Sequence, residues 1–234
     1  MLAFNRPLMI IALAGALAAC SDSNDNDDDV TPTPEPVSYS FTLQVSNLTA
    51  GQPFSPIAVI AHTEGTLWKV GDPATTALER MAEGGDNSVL LQFGSAIANV
   101  SSEAPVAPGA ETTLIITTDS IEELKLSLST MMVNTNDGFT GLNAMDVSSL
   151  AVDQTLTHFT FAYDAGTESN SEASGTIPGP ADSGEGFNEI RDDVNVIAMH
   201  PGVVGQQDGL TSSVLSSEHK FDNPLAKVVI TRTQ

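Results

Sequence analysis

Cysteine is almost missing from this chain: Cys20 is the only one, so no disulfide can form within the molecule. The fold must then be held by its core alone. Positive charge is nearly as scarce, with 8 Lys and Arg against 30 Asp and Glu and a formal net charge of -22. Such a surface repels phosphate and sulfate polymers, which excludes nucleic acid and disfavours heparin-like polysaccharides as partners. It suits divalent cations, cationic partners or plain solubility. Aromatic residues make up 5% of the chain, and the single tryptophan, Trp68, reads as core or sheet-edge packing rather than a ligand platform. Long apolar runs are lacking too. The one from Leu8 to Ala19 is about a dozen residues, whereas a helix needs about 20 to span a bilayer.

What is there begins with that run. Asn5 and Arg6 precede it as a polar, positively charged start, so the segment reads as an export signal and not as a permanent anchor. It ends in Leu17-Ala18-Ala19-Cys20, which resembles the bacterial lipobox, where small residues admit the peptidase and the cysteine receives diacylglycerol. The resemblance implies a signal peptide over residues 1–19 and a lipidated Cys20 at the mature N-terminus. Several acyl chains would make attachment to the membrane stable. Ser21 stands where an Asp would favour retention in the inner membrane, which implies the outer membrane of a Gram-negative envelope. An ordinary secretory peptide with an incidental cysteine is the alternative. Loss of residues 1–19 removes one cation, Arg6, and leaves the chain more acidic still.

Residues 20–37 hold Asp22, Asp25, Asp27, Asp28 and Asp29, then Thr-Pro-Thr-Pro-Glu-Pro. Like charges repel and prolines favour extended geometry, so a disordered, solvated linker is expected. Loose calcium binding by the Asp run is the lesser reading, because the glycine turn and ligand spacing of a dedicated loop are absent.

Residues 38–234 suit one domain with a core of its own. In Ser38–Asn47, Tyr39, Phe41, Leu43 and Val45 alternate with polar residues, the mark of a half-buried strand. Ile57–His62, Thr112–Thr118, Leu124–Val133, His158–Tyr163 and Ala226–Thr233 read as further strands. In Pro73–Glu83 the residues Ala74, Ala77, Leu78, Met81 and Ala82 recur at helical spacing; Asp72 can cap, Pro73 suits the first turn, and Gly84-Gly85 ends the element. Asn188–His200 fits either a helix or a strand. Many short strands, one short helix and abundant Gly, Asn, Asp and Pro turns predict an all-β chain, an antiparallel β-sandwich.

Signals of catalysis are weak. His62, His158, His200 and His219 form no close metal pair, and no cysteine assists them, so structural zinc is disfavoured. No Gly-x-Ser-x-Gly elbow occurs. Carboxylate pairs for glycoside hydrolysis are too numerous in so acidic a chain to be diagnostic, and Gly184-Glu185-Gly186 lacks a phosphate-cradling pattern. His200, before Pro201-Gly202, reads as a hydrogen-bonded loop histidine.

Asn47-Leu48-Thr49-Ala50-Gly51-Gln52-Pro53-Phe54-Ser55-Pro56, Asn136-Asp137-Gly138-Phe139-Thr140-Gly141 and Tyr163-Asp164-Ala165-Gly166-Thr167-Glu168 come in an order and separation that resemble the spondin N-terminal domain. Val70-Gly71-Asp72-Pro73 adds to the resemblance, which covers roughly Ser38–Gln234 and is weakly marked in its last third. It implies a β-sandwich carrying calcium at one end, held by Asp137, Asp164 and Glu168. Glu168 replaces the family's aspartate and is one methylene longer; Gly138 replaces the tryptophan of animal members, and with it any contact that ring makes. Taken without the resemblance, Asp137, Asp164 and Glu168 are acids in turns after apolar strands. They could supply hard oxygens to an ion or merely stabilise turns. The expectation is a non-enzymatic, lipid-anchored module whose calcium-ordered loops bind a protein or glycan. A periplasmic hydrolase of envelope glycans and a purely structural envelope protein are the alternatives.

Overall fold

Alternation of apolar and polar residues builds the first strand of the computed structural model, β1 (Tyr39–Asn47), in which Phe41, Leu43 and Val45 are fully buried. The structure describes residues 36–234. The expected signal peptide (1–19), the lipidated Cys20 and all but the last two residues of the expected linker lie outside the described residues.

Nine more strands follow: β2 (Ala58–His62), β3 (Ala96–Ser101), β4 (Glu111–Thr118), β5 (Lys125–Met131), β6 (Gly138–Asp146), β7 (Thr155–Thr160), β8 (Ala162–Asp164), β9 (Ala198–Met199) and β10 (Ala226–Arg232). They form two antiparallel sheets, ordered β4-β1-β10-β7 and β3-β2-β5-β6-β8-β9. The described residues form an antiparallel β-sandwich with one short helix. Between the sheets, Phe41, Leu43, Val228 and Ile230 pack with Val59, Leu126 and Leu128. Non-directional burial of this apolar area is the main stabilising term, and no crosslink assists it.

The six-stranded sheet is covered on both faces. The helix α1 (Thr76–Gly84) lays Leu78, Met81 and Ala82 against Ala58, Ile60, Met131 and Phe139 on its outer side. This accounts for the unbroken apolar run of β2, every residue of which is buried. It also explains why Ser127 and Ser129, which alternate with the core leucines of β5, are buried rather than wet. Trp68 packs edge-on to Phe139 with ring centres 5.2 Å apart, in the core as expected.

Three local expectations need correction. The helix begins later: Thr75, not Asp72, is the N-cap, its hydroxyl accepting the Leu78 N–H at 3.2 Å, while Pro73 lies ahead of the first turn. Gly85 closes the helix with φ of 68°, a conformation that glycine adopts without steric cost. His158–Tyr163 is not one strand. Thr160 pairs with Ala226 in one sheet and Ala162 with Thr140 in the other, so the chain changes sheets at Phe161. The Thr140 hydroxyl pins that corner by donating to the Phe161 carbonyl at 2.8 Å while lying 2.7 Å from the Thr160 hydroxyl, which can donate to it. Phe159 and Phe161 are both exposed. Finally, Asn188–His200 forms neither helix nor long strand; only Ala198–Met199 pairs, as β9.

Candidate functional site

The three segments quoted above converge at one end of the sandwich. Asn47 donates its amide to the carbonyls of Gln52 and Val106, and the Thr49 hydroxyl bonds Asn47 Oδ1 at 2.7 Å, tying the first segment into a buried knot. Gln52 Nε2 reaches the Asn134 carbonyl at 3.2 Å, and the Asn134 N–H returns to Gln52 Oε1 at 3.1 Å. Asn134 opens the turn that carries Asp137. Gly138 and Asp164 are partners across β6 and β8, which sets the second segment beside the third. Asp137 thus lies between β5 and β6, immediately ahead of a strand, and Asp164 is the last residue of β8.

Asp137 is fully buried. Its Oδ2 accepts the N–H groups of Thr167 and Glu168 at 2.8 and 3.1 Å and the Thr167 hydroxyl at 3.2 Å. Its Oδ1 has no partner. Burial, and then the neighbouring charge of Asp164, push its pKa up to about 7 against the pull of those donors. Asp164 is buried as well; Oδ1 accepts the Gly166 N–H at 2.7 Å and Oδ2 the Asn170 amide. Two buried carboxylates therefore lie close enough for the charge of Asp164 to bear on Asp137.

Glu168 belongs to a second grouping. Its Oε1 accepts the Asn136 amide at 3.2 Å, and burial, with Glu83, Asp137 and Glu185 nearby, raises its pKa to about 8. Glu83, on the buried side of α1, accepts the Asn188 N–H at 2.9 Å, and its pKa is also raised, chiefly by burial. Asp137 and Asp164 are thus brought together, while Glu168 turns toward Asn136 and Glu83. Among the described residues, no group of three or more His, Cys, Asp or Glu side chains is placed to hold a metal ion by itself. A hard cation would draw on Asp137 Oδ1 and Asp164 and complete its six to eight oxygens with carbonyls and water. The orphaned, buried oxygen fits that donor chemistry.

Asn136 and Thr167 lie within the quoted segments, but their bonding roles were not read from them, and Glu83 and Glu172 were not assigned to this end. Asn136 bridges Glu168, Thr176 Oγ1 at 2.9 Å and the Glu172 N–H. Glu172 accepts from the N–H groups of Val204 and Gly205 at 2.7 and 2.9 Å and from the Ser213 hydroxyl at 2.6 Å. Only Glu83 left a signal, an acid four residues after Glu79 on the face of α1 that carries Leu78 and Ala82. His62 is engaged by Ser127 Oγ at 2.8 Å and the Glu64 carbonyl at 2.9 Å. His200 accepts the Gly202 N–H at Nδ1, leaving Nε2 buried without a partner, and burial lowers its pKa to about 4. No family profile matches the chain, and no curated protein matches it significantly.

Proposed function

We propose that this chain is a non-enzymatic, lipid-anchored envelope protein with a spondin-like domain, a binding or adhesion module whose end loops are ordered by calcium. The observation that carries the reading is the buried Asp137 Oδ1, unpartnered and next to a second buried carboxylate. A divalent ion would remove the repulsion between Asp137 and Asp164 and supply the missing partner. Asp137 would then hold the Thr167 and Glu168 N–H groups as a full anion, fixing the 164–168 loop. The export signal and Cys20 would place that loop at the outer membrane. The protein surface, not chemistry at the ion, would do the work.

Thermal melting of residues 36–234 in EDTA, in millimolar calcium and in millimolar magnesium tests this. With calcium about 100-fold above its dissociation constant, linkage gives about 2.7 kcal/mol and a rise on the order of 5–10 °C. Magnesium, smaller and reluctant to shed water, should give less. Identical melting in all three solutions would overturn the calcium reading. Turnover of envelope glycans that is lost in Asp137→Asn would replace the module with the hydrolase alternative.

A further inference from the structure

The segment leading into β9 and beyond it carries apolar side chains that no other described residue covers. Ile190 is 77% exposed and Val194 71%, and Val196, Met199 and Val204 are exposed as well. Their main chain is nonetheless held. The Asn195 N–H donates to the Gly166 carbonyl at 2.7 Å and the Asp192 N–H to the Thr167 carbonyl at 3.1 Å. Ile197 donates to the Asp72 carbonyl and accepts from the Gly71 N–H, each at 2.9 Å. Arg191 grips Glu79 at 2.6 and 2.8 Å and the Ala74 carbonyl at 2.9 Å. The backbone is fixed against the Asp164–Glu168 loop while the valines, isoleucine and methionine stay in water. Exposed apolar groups recurring along one fixed stretch of main chain offer a contact surface.

Charge selects the partner. Within Ile190–Val204 stand Asp192 and Asp193, with Glu185 and Glu189 just ahead, against one cation, Arg191, which is already paired with Glu79. A ridge of this composition repels anionic lipid and anionic polymers and attracts positive charge. We propose that the Ile190–Val204 ridge docks a cationic, apolar polypeptide segment of another protein. The proposal rests on the binding-module reading but not on its calcium.

The test is a fluorescence-anisotropy titration of the full chain with a labelled peptide of alternating lysine and valine, in EDTA and in calcium. Peptides of alternating lysine and serine and of alternating glutamate and valine serve as comparisons. The lysine–valine peptide should bind about tenfold or more tightly than either. Val194→Ser with Met199→Ser should weaken it about tenfold, while Ile115→Ser, an exposed apolar change on the other sheet, should leave it unaltered. Should the double variant melt lower than the parent, Ile190→Ser with Val194→Ser, at the two most exposed positions, replaces it. Equal binding of the lysine–serine peptide, an indifferent ridge variant, or capture by phosphatidylcholine vesicles in place of peptide would overturn the proposal. Calcium-dependent melting without peptide binding would sink the ridge alone. Peptide binding with melting indifferent to calcium would sink the calcium reading alone.

Discussion

Asp137 accepts the Thr167 N–H at 2.8 Å through one carboxylate oxygen and leaves its other oxygen buried with no partner. One half of the side chain is thus structural and the other half is unspent. Removing the charge while keeping the acceptor separates the two roles. Asp137→Asn should preserve the fold in EDTA, because the amide oxygen can still take the Thr167 and Glu168 donors. It should abolish any calcium-dependent rise in melting temperature. Asp164→Asn should do the same.

The metal-free domain should also gain stability as pH falls. Asp137 and Glu168 have folded pKa values of about 7 and about 8, above the ordinary carboxyl range. The folded state therefore binds more protons than the unfolded chain between those values and the ordinary ones near 4. Stability is lost as pH rises through that window, with a slope of at most about 1.4 kcal/mol per pH unit for each group. His200 acts oppositely: its folded pKa of about 4 lies below the ordinary 6.5, so its share of stability disappears as pH falls from 6.5 to 4. Urea midpoints in EDTA should rise as pH falls from 8 toward 5, with His200 offsetting about one of the two carboxyl contributions below pH 6.5. Asp137→Asn should flatten the climb below pH 7.

Gly166 has φ of +67°, and a Cβ there would lie 2.3 Å from the Val196 carbonyl oxygen. Both strain and clash oppose substitution. Gly166→Ala should cost about 3 kcal/mol or more, read from the urea midpoint, because the 164–168 loop and the 190–199 segment must separate. Gly175→Ala, at φ of +92° but with open space around it, should cost less.

Glu172 ties the stretch from Val204 to Ser213 to the rest of the domain through three hydrogen bonds to one carboxylate. Glu172→Ala should cost about 2–4 kcal/mol and leave buried donors unpaired. Hydrogen exchange should quicken at Val204, Gly205 and Leu215 before it quickens in β1 or β10. Unaltered exchange there would refute the clamp.

Much of the sandwich was legible because period-two alternation reports a sheet with one wet face. β1 and β4 belong to the four-stranded sheet, and their buried and exposed residues alternate as their sequences do. Where the helix and its approaches cover the second face, alternation loses its meaning, and β5 buries Ser127 along with Leu126. β3 went unseen because its alternation pairs small or polar residues, and β6 because Gly138, Thr140 and Gly141 read as a turn. Gly141 in fact lets strands close up: a Cβ there would lie 1.9 Å from the Leu128 carbonyl. At the candidate site, the sequence named the acids but not their grouping. The partition of Asp137 with Asp164, and of Glu168 with Asn136 and Glu83, depends on tertiary placement of a helix end and a long loop that no local spacing encodes.

The antiparallel pairing of β1 with β10 has a directional consequence. Thr233 donates to the Ser40 carbonyl at 2.7 Å, so the polypeptide enters and leaves the domain at the same pole. β1 then runs its nine residues to Asn47, whose knot with Gln52 and Asn134 marks the opposite pole, roughly 25–30 Å away. Residue 36 leads into that base, and the paired carboxylates crown the far tip. The nine residues of β1 therefore set the separation between the terminal strand ends and the candidate site.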